Sequence, residues 1–128
     1  MPLVRISIPA HLAVEKARAL ADAVHGALVS TCNIPANERF QLISRFSDTN
    51  MLIDPTFPDV ERSADASIVE ITLLTGRNDD RKRSLYRAIA GAVAAGFRSD
   101  DVMVALIENG PIDWSLGRGE AYDKHGSG

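Results

Sequence analysis

Pro2 stands directly behind Met1, and that placement gives it a chemistry no other proline of the chain shares. An initiator methionine is normally trimmed when the residue after it is small, and a chain beginning at Pro2 would carry a secondary amine with no preceding peptide bond. An internal proline has no N–H and does no acid–base work. A free chain terminus titrates near neutrality, at about 7.7 to 8.0, and a proline amine is intrinsically more basic. Apolar surroundings or a nearby cation disfavour its charged form and bring it toward working pH. The alternative is that Pro2 only opens an edge strand, where proline is tolerated. Other reactive groups narrow the chemistry further. His11, His25 and His125 have no second ligand at metal spacing, and the single cysteine, Cys32, excludes an internal disulfide and a multi-cysteine metal site. Gly117 and Gly119 lack the strand-to-helix context and third glycine of a dinucleotide fingerprint. Neither a metal nor a cofactor is expected.

The elements that would position such an amine come in two similar halves. Residues 3–8 alternate, with Val4, Ile6 and Ile8 on one face and Leu3, Arg5 and Ser7 on the other, which is the period of a half-buried strand. Pro9 ends it. Over residues 11–30, Leu20, Val24 and Leu28 recur every four positions beside Ala17, Ala21 and Ala27, predicting a helix with a smooth stripe suited to a sheet. Residues 38–45, with Phe40, Leu42 and Ile43, predict a second strand. The order then repeats. Residues 67–75 are apolar on both faces and predict a central strand closed by Gly76. Asp79 and Asp80 suit the first turn of a helix carrying Leu85, Ile89 and Val93 and ending at Gly96, and residues 101–108 predict a fourth strand. Each strand pair is joined by a helix, so the crossover rule makes each pair parallel. The expectation is one α/β domain over residues 1–128: duplicated β-α-β units at 2–46 and 67–108, a four-stranded sheet with two helices on one face, and a tail at 109–128.

Composition excludes several classes. With 45% hydrophobic and 24% charged residues the chain reads as an ordinary soluble globular protein. A net charge of −3 offers no basic surface, so nucleic acid and anionic membrane are not expected partners. No apolar run approaches the roughly 18 residues that span a bilayer, and the start lacks signal-peptide regions, which predicts a cytoplasmic location. Helices on one face leave the other face of the sheet uncovered, and its apolar content predicts an oligomer. The connection at 47–66, with Pro55 and Pro58 around Met51, Leu52, Ile53 and Phe57, is of the length that forms sites or interfaces. Trp114 and Leu116 predict an ordered start to the tail, and residues 124–128 a loose end.

An amino-terminal proline on a strand, duplicated β-α-β units and an Ile/Leu-rich third strand leading into Gly76-Arg77 together resemble the tautomerase superfamily. Within it, Ile34-Pro35-Ala36-Asn37-Glu38-Arg39-Phe40-Gln41 and Asp113-Trp114-Ser115-Leu116-Gly117-Arg118-Gly119 are most similar to the malonate semialdehyde decarboxylase group. The resemblance implies Pro2 as the catalytic amine and Glu38 as its partner acid, where that group has aspartate. It implies two substrate-binding arginines separated by one residue; the second is Arg77, and Thr75 occupies the first position. Losing one arginine weakens the grip on a substrate carboxylate. The resemblance also places Trp114 as an aromatic pocket wall and Leu116 where the group has phenylalanine, and it implies a homotrimer.

The residue types suit proton transfer. A neutral Pro2 amine can act as base in keto–enol tautomerisation while Arg77 stabilises the enolate. A protonated Pro2 could instead polarise the carbonyl of a 3-oxo acid for decarboxylation or hydration, with Glu38 orienting water or substrate. The expected activity is therefore a cofactor-independent tautomerase acting on a small anionic oxo acid; the alternatives are a malonate semialdehyde-type decarboxylase or hydratase, and a non-catalytic binding protein that keeps the fold. Read alone, Glu38 is a solvated charge, Arg77 a loop cation whose loss would spare folding, and Trp114 a core or interface residue.

Overall fold

The computed structural model describes residues 1–93 and 96–125. Four strands, β1 (Pro2–Pro9), β2 (Gln41–Phe46), β3 (Ser67–Leu74) and β4 (Val102–Asn109), form one sheet in the order β2-β1-β3-β4. Helix α1 (Val14–Cys32) joins β1 to β2 and α2 (Asp79–Val93) joins β3 to β4. Both of these strand pairs are parallel, and the two units meet through antiparallel β1 and β3. The duplicated β-α-β fold and the central place of β3 are as the sequence predicts.

Register explains the core. Pro2, Val4 and Ile6 lie opposite Leu73, Ile71 and Val69, so the buried positions of β1 and β3 share one face. The helical stripes close over them: Leu20, Val24 and Leu28 of α1 and Leu85 and Ile89 of α2 are almost wholly buried in the same cluster. Small Ala17, Ala21 and Ala27 let α1 approach the sheet. Burying a leucine-sized side chain stabilises by about 1.5–3 kcal/mol.

Element boundaries moved for local reasons. Helix α1 begins at Val14 rather than His11 because the chain first turns after Pro9, with the Leu12 amide donating to the Pro9 carbonyl at 3.2 Å. It runs on to buried Cys32 and ends at Asn33, whose φ of 55° is the left-handed cap that asparagine tolerates. Strand β2 begins at Gln41 rather than residue 38 because Glu38 closes a turn onto the Pro35 carbonyl at 3.0 Å. Asp101 belongs to a 3-10 turn ahead of β4. The expected end of α2 near Gly96 adjoins residues 94–95, which lie outside the described residues, as do residues 126–128 of the expected loose end; the amides of Gly96 and Phe97 both donate to the Val93 carbonyl.

As an edge strand, β2 faces the helices with Gln41, Ile43 and Arg45, in register with Val4, Ile6 and Ile8. Gln41 Nε2 donates to the Ala21 carbonyl at 2.9 Å and Arg45 Nη1 to that of Leu12 at 2.6 Å, so polar groups lie over the core without orphaned donors. Leu42 is left on the opposite face with Met103 and Ile107, each about half exposed, beside the cross-strand pair Arg5 and Glu70.

The connection at 47–66 is ordered by charge. Asp54 accepts from the amides of Thr56 and Phe57, and Arg62 donates to the Asp54 carbonyl. Buried Asp101 accepts from the Ser63 amide and hydroxyl, both at 2.6 Å. Asp101→Ala should lower stability by about 1–3 kcal/mol by leaving the Ser63 amide without its acceptor, read as a lower urea midpoint. Asp65 accepts from Lys16 at 2.7 Å and lies 2.8 Å from His11 Nε2; these contacts, Lys16 foremost, hold its pKa below the usual carboxylate range. A carboxyl lowered in this way contributes stability that is present above its unfolded pKa of about 3.9 and is lost as pH falls through the lower folded value. Asp65→Asn should therefore flatten the stability–pH curve below about pH 4.

Candidate active site

The antiparallel meeting of β1 and β3 puts the start of one beside the end of the other, with Pro2 opposite Leu73. Helix α1 returns from the far end of β1, so its last turn comes back to the same pole, followed by the segment that leads into β2. The start of α2 and the end of β4 arrive there as well, the Thr75 amide donating to the Asn109 carbonyl at 2.8 Å. Met1 ahead of β1, the end of α1 with the segment before β2, and the end of β3 with the start of α2 thus surround one cavity of about 530 Å³. Gly76, with φ of 124°, makes the turn from β3 toward α2 in a conformation that side chains disfavour.

Of the residues singled out from sequence, Glu38, Thr75 and Arg77 line this cavity. Met1 also lines it, and its amine lies 3.3 Å from Glu38 Oε2. The Glu38 carboxylate is therefore held at the entry to β1, next to buried Pro2. Thr75 is exposed at the rim. Trp114 and Leu116 do not line the cavity: after β4 the tail turns at Pro111–Asp113 and again at Gly117 and Gly119, both at positive φ, while Ser115 bridges to Ala121. Trp114 Nε1 donates to Asn109 Oδ1 at 2.6 Å, and Leu116 borders a separate hollow of about 380 Å³. The tail residue that reaches the cavity is Tyr122, which borders both spaces.

Arg77 corrects one expectation. It is not a free loop cation, because Nη1 donates to the Leu74 carbonyl at 3.0 Å and Nη2 to the Cys32 carbonyl at 3.3 Å, tying the end of β3 to the end of α1. Its Nε is buried and has no hydrogen-bond partner. A second guanidinium went unnoticed in the sequence. Arg81 lines the cavity from the first turn of α2, with Nη1 donating to the Thr31 carbonyl at 2.8 Å. The available signal was its spacing of four from Arg77 at a helix start.

The cavity thus combines a carboxylate, two guanidinium groups, an exposed threonine and a tyrosine around the beginning of β1, an arrangement suited to an anion that must exchange a proton. Among the described residues no group of three or more His, Cys, Asp or Glu side chains is placed to hold a metal ion. A second cavity, of about 570 Å³, lies at the opposite end of the sheet between Pro9, Phe46, Met51 and Ile53, and holds none of Pro2, Glu38 or Arg77. Because Arg77 joins two elements, Arg77→Ala should cost about 1–3 kcal/mol of stability in addition to any effect on ligand binding, measured by urea unfolding.

Comparison with known proteins agrees with this geometry. A family model described as tautomerase enzyme matches residues 38–117, and a second with the same description matches residues 2–60. The chain is 30% identical over 123 residues to the probable tautomerase YusQ of Bacillus subtilis (strain 168), covering 94% of this chain and 97% of that one. It superposes on the crystal structure of FG41 malonate semialdehyde decarboxylase inhibited by 3-bromopropiolate with a TM-score of 0.91 and 34% identity, covering 97% of this chain and 95% of that one. A fused 4-OT symmetric trimer shares the fold, with a TM-score of 0.80, 22% identity and coverage of 98% and 99%. Two family models and a near full-length relative leave one assignment: the chain belongs to the tautomerase superfamily, among members similar to malonate semialdehyde decarboxylase.

Proposed function

We propose that this protein is a cofactor-independent tautomerase that moves a proton between carbon and oxygen of a small anionic oxo acid, using the amine of Pro2 after Met1 is removed. The observation that carries this reading is the Glu38 carboxylate 3.3 Å from the chain's amino group, at the wall of a cavity that also holds Arg77. With Met1 gone, the terminal amine becomes the Pro2 nitrogen at the start of β1. In its neutral form it takes a proton from the carbon next to the substrate carbonyl, or from the enol oxygen in the reverse sense. Charge accumulates on the enolate, and the nearby guanidinium stabilises it. Glu38 then faces the ammonium form of the amine and orients it for return of the proton to the other end of the enolate. Thr75 offers a neutral hydrogen-bonding side chain at the rim.

The likeness to malonate semialdehyde decarboxylase favours a second reading on the same residues. There the C–C bond to the carboxylate breaks, carbon dioxide leaves, and the electron pair is accepted by a carbonyl polarised by protonated Pro2. Thr75 in place of an arginine argues for ranking this second. The half-exposed Leu42, Met103 and Ile107 support assembly through the open sheet face, and we extend the proposal to a homotrimer working in the cytoplasm.

The test is ketonisation of the enol of phenylpyruvate, followed spectroscopically, on protein whose mass shows that Met1 is absent. Turnover should be measurable, nearly abolished in a folded form that retains Met1, and reduced by about a hundredfold in Glu38→Gln. Equal rates with and without Met1 would remove Pro2 from the chemistry. Fast decarboxylation of malonate semialdehyde without ketonisation would install the second reading, and a folded, Met1-free protein with neither activity would leave a binding protein.

A further inference from the structure

We infer that Arg81, on the first turn of α2, is the residue that grips the substrate carboxylate, taking over from the arginine that Thr75 replaces. This rests on the proton-transfer reading for its substrate class, an oxo acid with a free carboxylate. Thr75 is neutral, so the end of β3 brings one cation to the cavity where the similar decarboxylase group has two. Arg77 is that cation, but two of its N–H groups are engaged by the Leu74 and Cys32 carbonyls and its Nε is buried. A guanidinium has five N–H donors in a fixed fork, and held in this way Arg77 has limited freedom to reorient toward a ligand.

Arg81 is differently placed. It is exposed and lines the same cavity, and its guanidinium gives one hydrogen bond among the described residues, from Nη1 to the Thr31 carbonyl. Among the described residues the other donors of its fork are uncommitted and it forms no ion pair. Of the acidic side chains beside it on α2, Asp80 pairs with Arg83, and Asp79 lies two positions back on the helix, where side chains do not face one another. Thr31 and Cys32 are consecutive, so the two guanidinium groups are fixed to neighbouring carbonyls of the last turn of α1. Those carbonyls carry the partial negative charge of a helix C-terminus, which favours cations there. One carboxylate can then be held by the fork of Arg81 in bidentate fashion, with Arg77 beside the adjoining oxo group and the carbon that exchanges a proton toward Glu38 and the start of β1.

The experiment compares Arg81→Ala, Arg81→Lys and the parent protein, all lacking Met1, on the enol of phenylpyruvate and on the enol of its uncharged methyl ester. It also measures equilibrium binding of 3-phenylpropionate, an unreactive carboxylate, by NMR titration. Arg81→Ala should lower kcat/KM for the anion about ten- to a hundredfold, mainly through KM, leave the ester within about twofold, and weaken phenylpropionate by a similar factor. Arg81→Lys should recover part of the loss, because it keeps the charge and loses the fork. Unchanged phenylpropionate binding in Arg81→Ala, or equal losses on anion and ester, would overturn the inference. If the parent turns over neither compound yet binds phenylpropionate in an Arg81-dependent way, the carboxylate site stands and the proton-transfer reading falls.

Discussion

The antiparallel pairing of β1 with β3 is the constraint on which the rest of the molecule depends. Each β-α-β unit alone is a parallel pair with one helix, which has an exposed sheet edge and half a core. Joining them with Val4 opposite Ile71 and Ile6 opposite Val69 makes the two apolar faces continuous and lets both helices share one core. The same pairing fixes where chemistry can occur. It brings the chain's beginning to the end of β3, and the parallel crossovers then deliver the end of α1 and the start of α2 to that pole. Glu38, far in sequence from Arg77 and Arg81, becomes their neighbour through topology.

Sequence periodicity was enough for the fold, because the alternation of Val4, Ile6 and Ile8 and the four-residue spacing of Leu20, Val24 and Leu28 report burial directly. It found β2 with a shifted start but did not show that this edge strand places Gln41 and Arg45 on the helix side, where their hydrogen bonds find carbonyls on α1 and the β1–α1 turn. Those acceptors are backbone groups of distant residues, and no pattern within residues 38–45 points to them. The helix starts show the same limit: the turn that delays α1 to Val14 is a matter of backbone hydrogen bonds, whereas the acidic start of α2 was legible as charge.

The candidate site was legible in part. Pro2, the amine of the proposed chemistry, stands out through residue type and position, while Glu38 and Arg77 gained meaning only through resemblance. What sequence did not show is how the cations are held. Arg77 becomes a clamp because two carbonyls, one at the end of β3 and one at the end of α1, happen to converge on it. Arg81 enters the cavity because α2 starts where α1 stops. The tail illustrates the reverse case: Trp114 and Leu116 are conspicuous as apolar residues, yet the two positive-φ glycines fold the segment so that Tyr122 reaches the cavity in their place.

The double attachment of arginines to the last turn of α1 has a dynamic consequence. A helix end is ordinarily the first part of a helix to fray, since its final carbonyls lack intrahelical donors. Here the carbonyls of Thr31 and Cys32 are fastened from outside by Arg81 of α2 and by Arg77 of the turn before it, and Asn33 caps the turn behind them. Opening that turn would release both guanidinium groups at once, so local unfolding of α1 and disorder of the cation pair form one cooperative event. An anion bridging the two side chains would then slow exchange of the backbone amides at the end of α1.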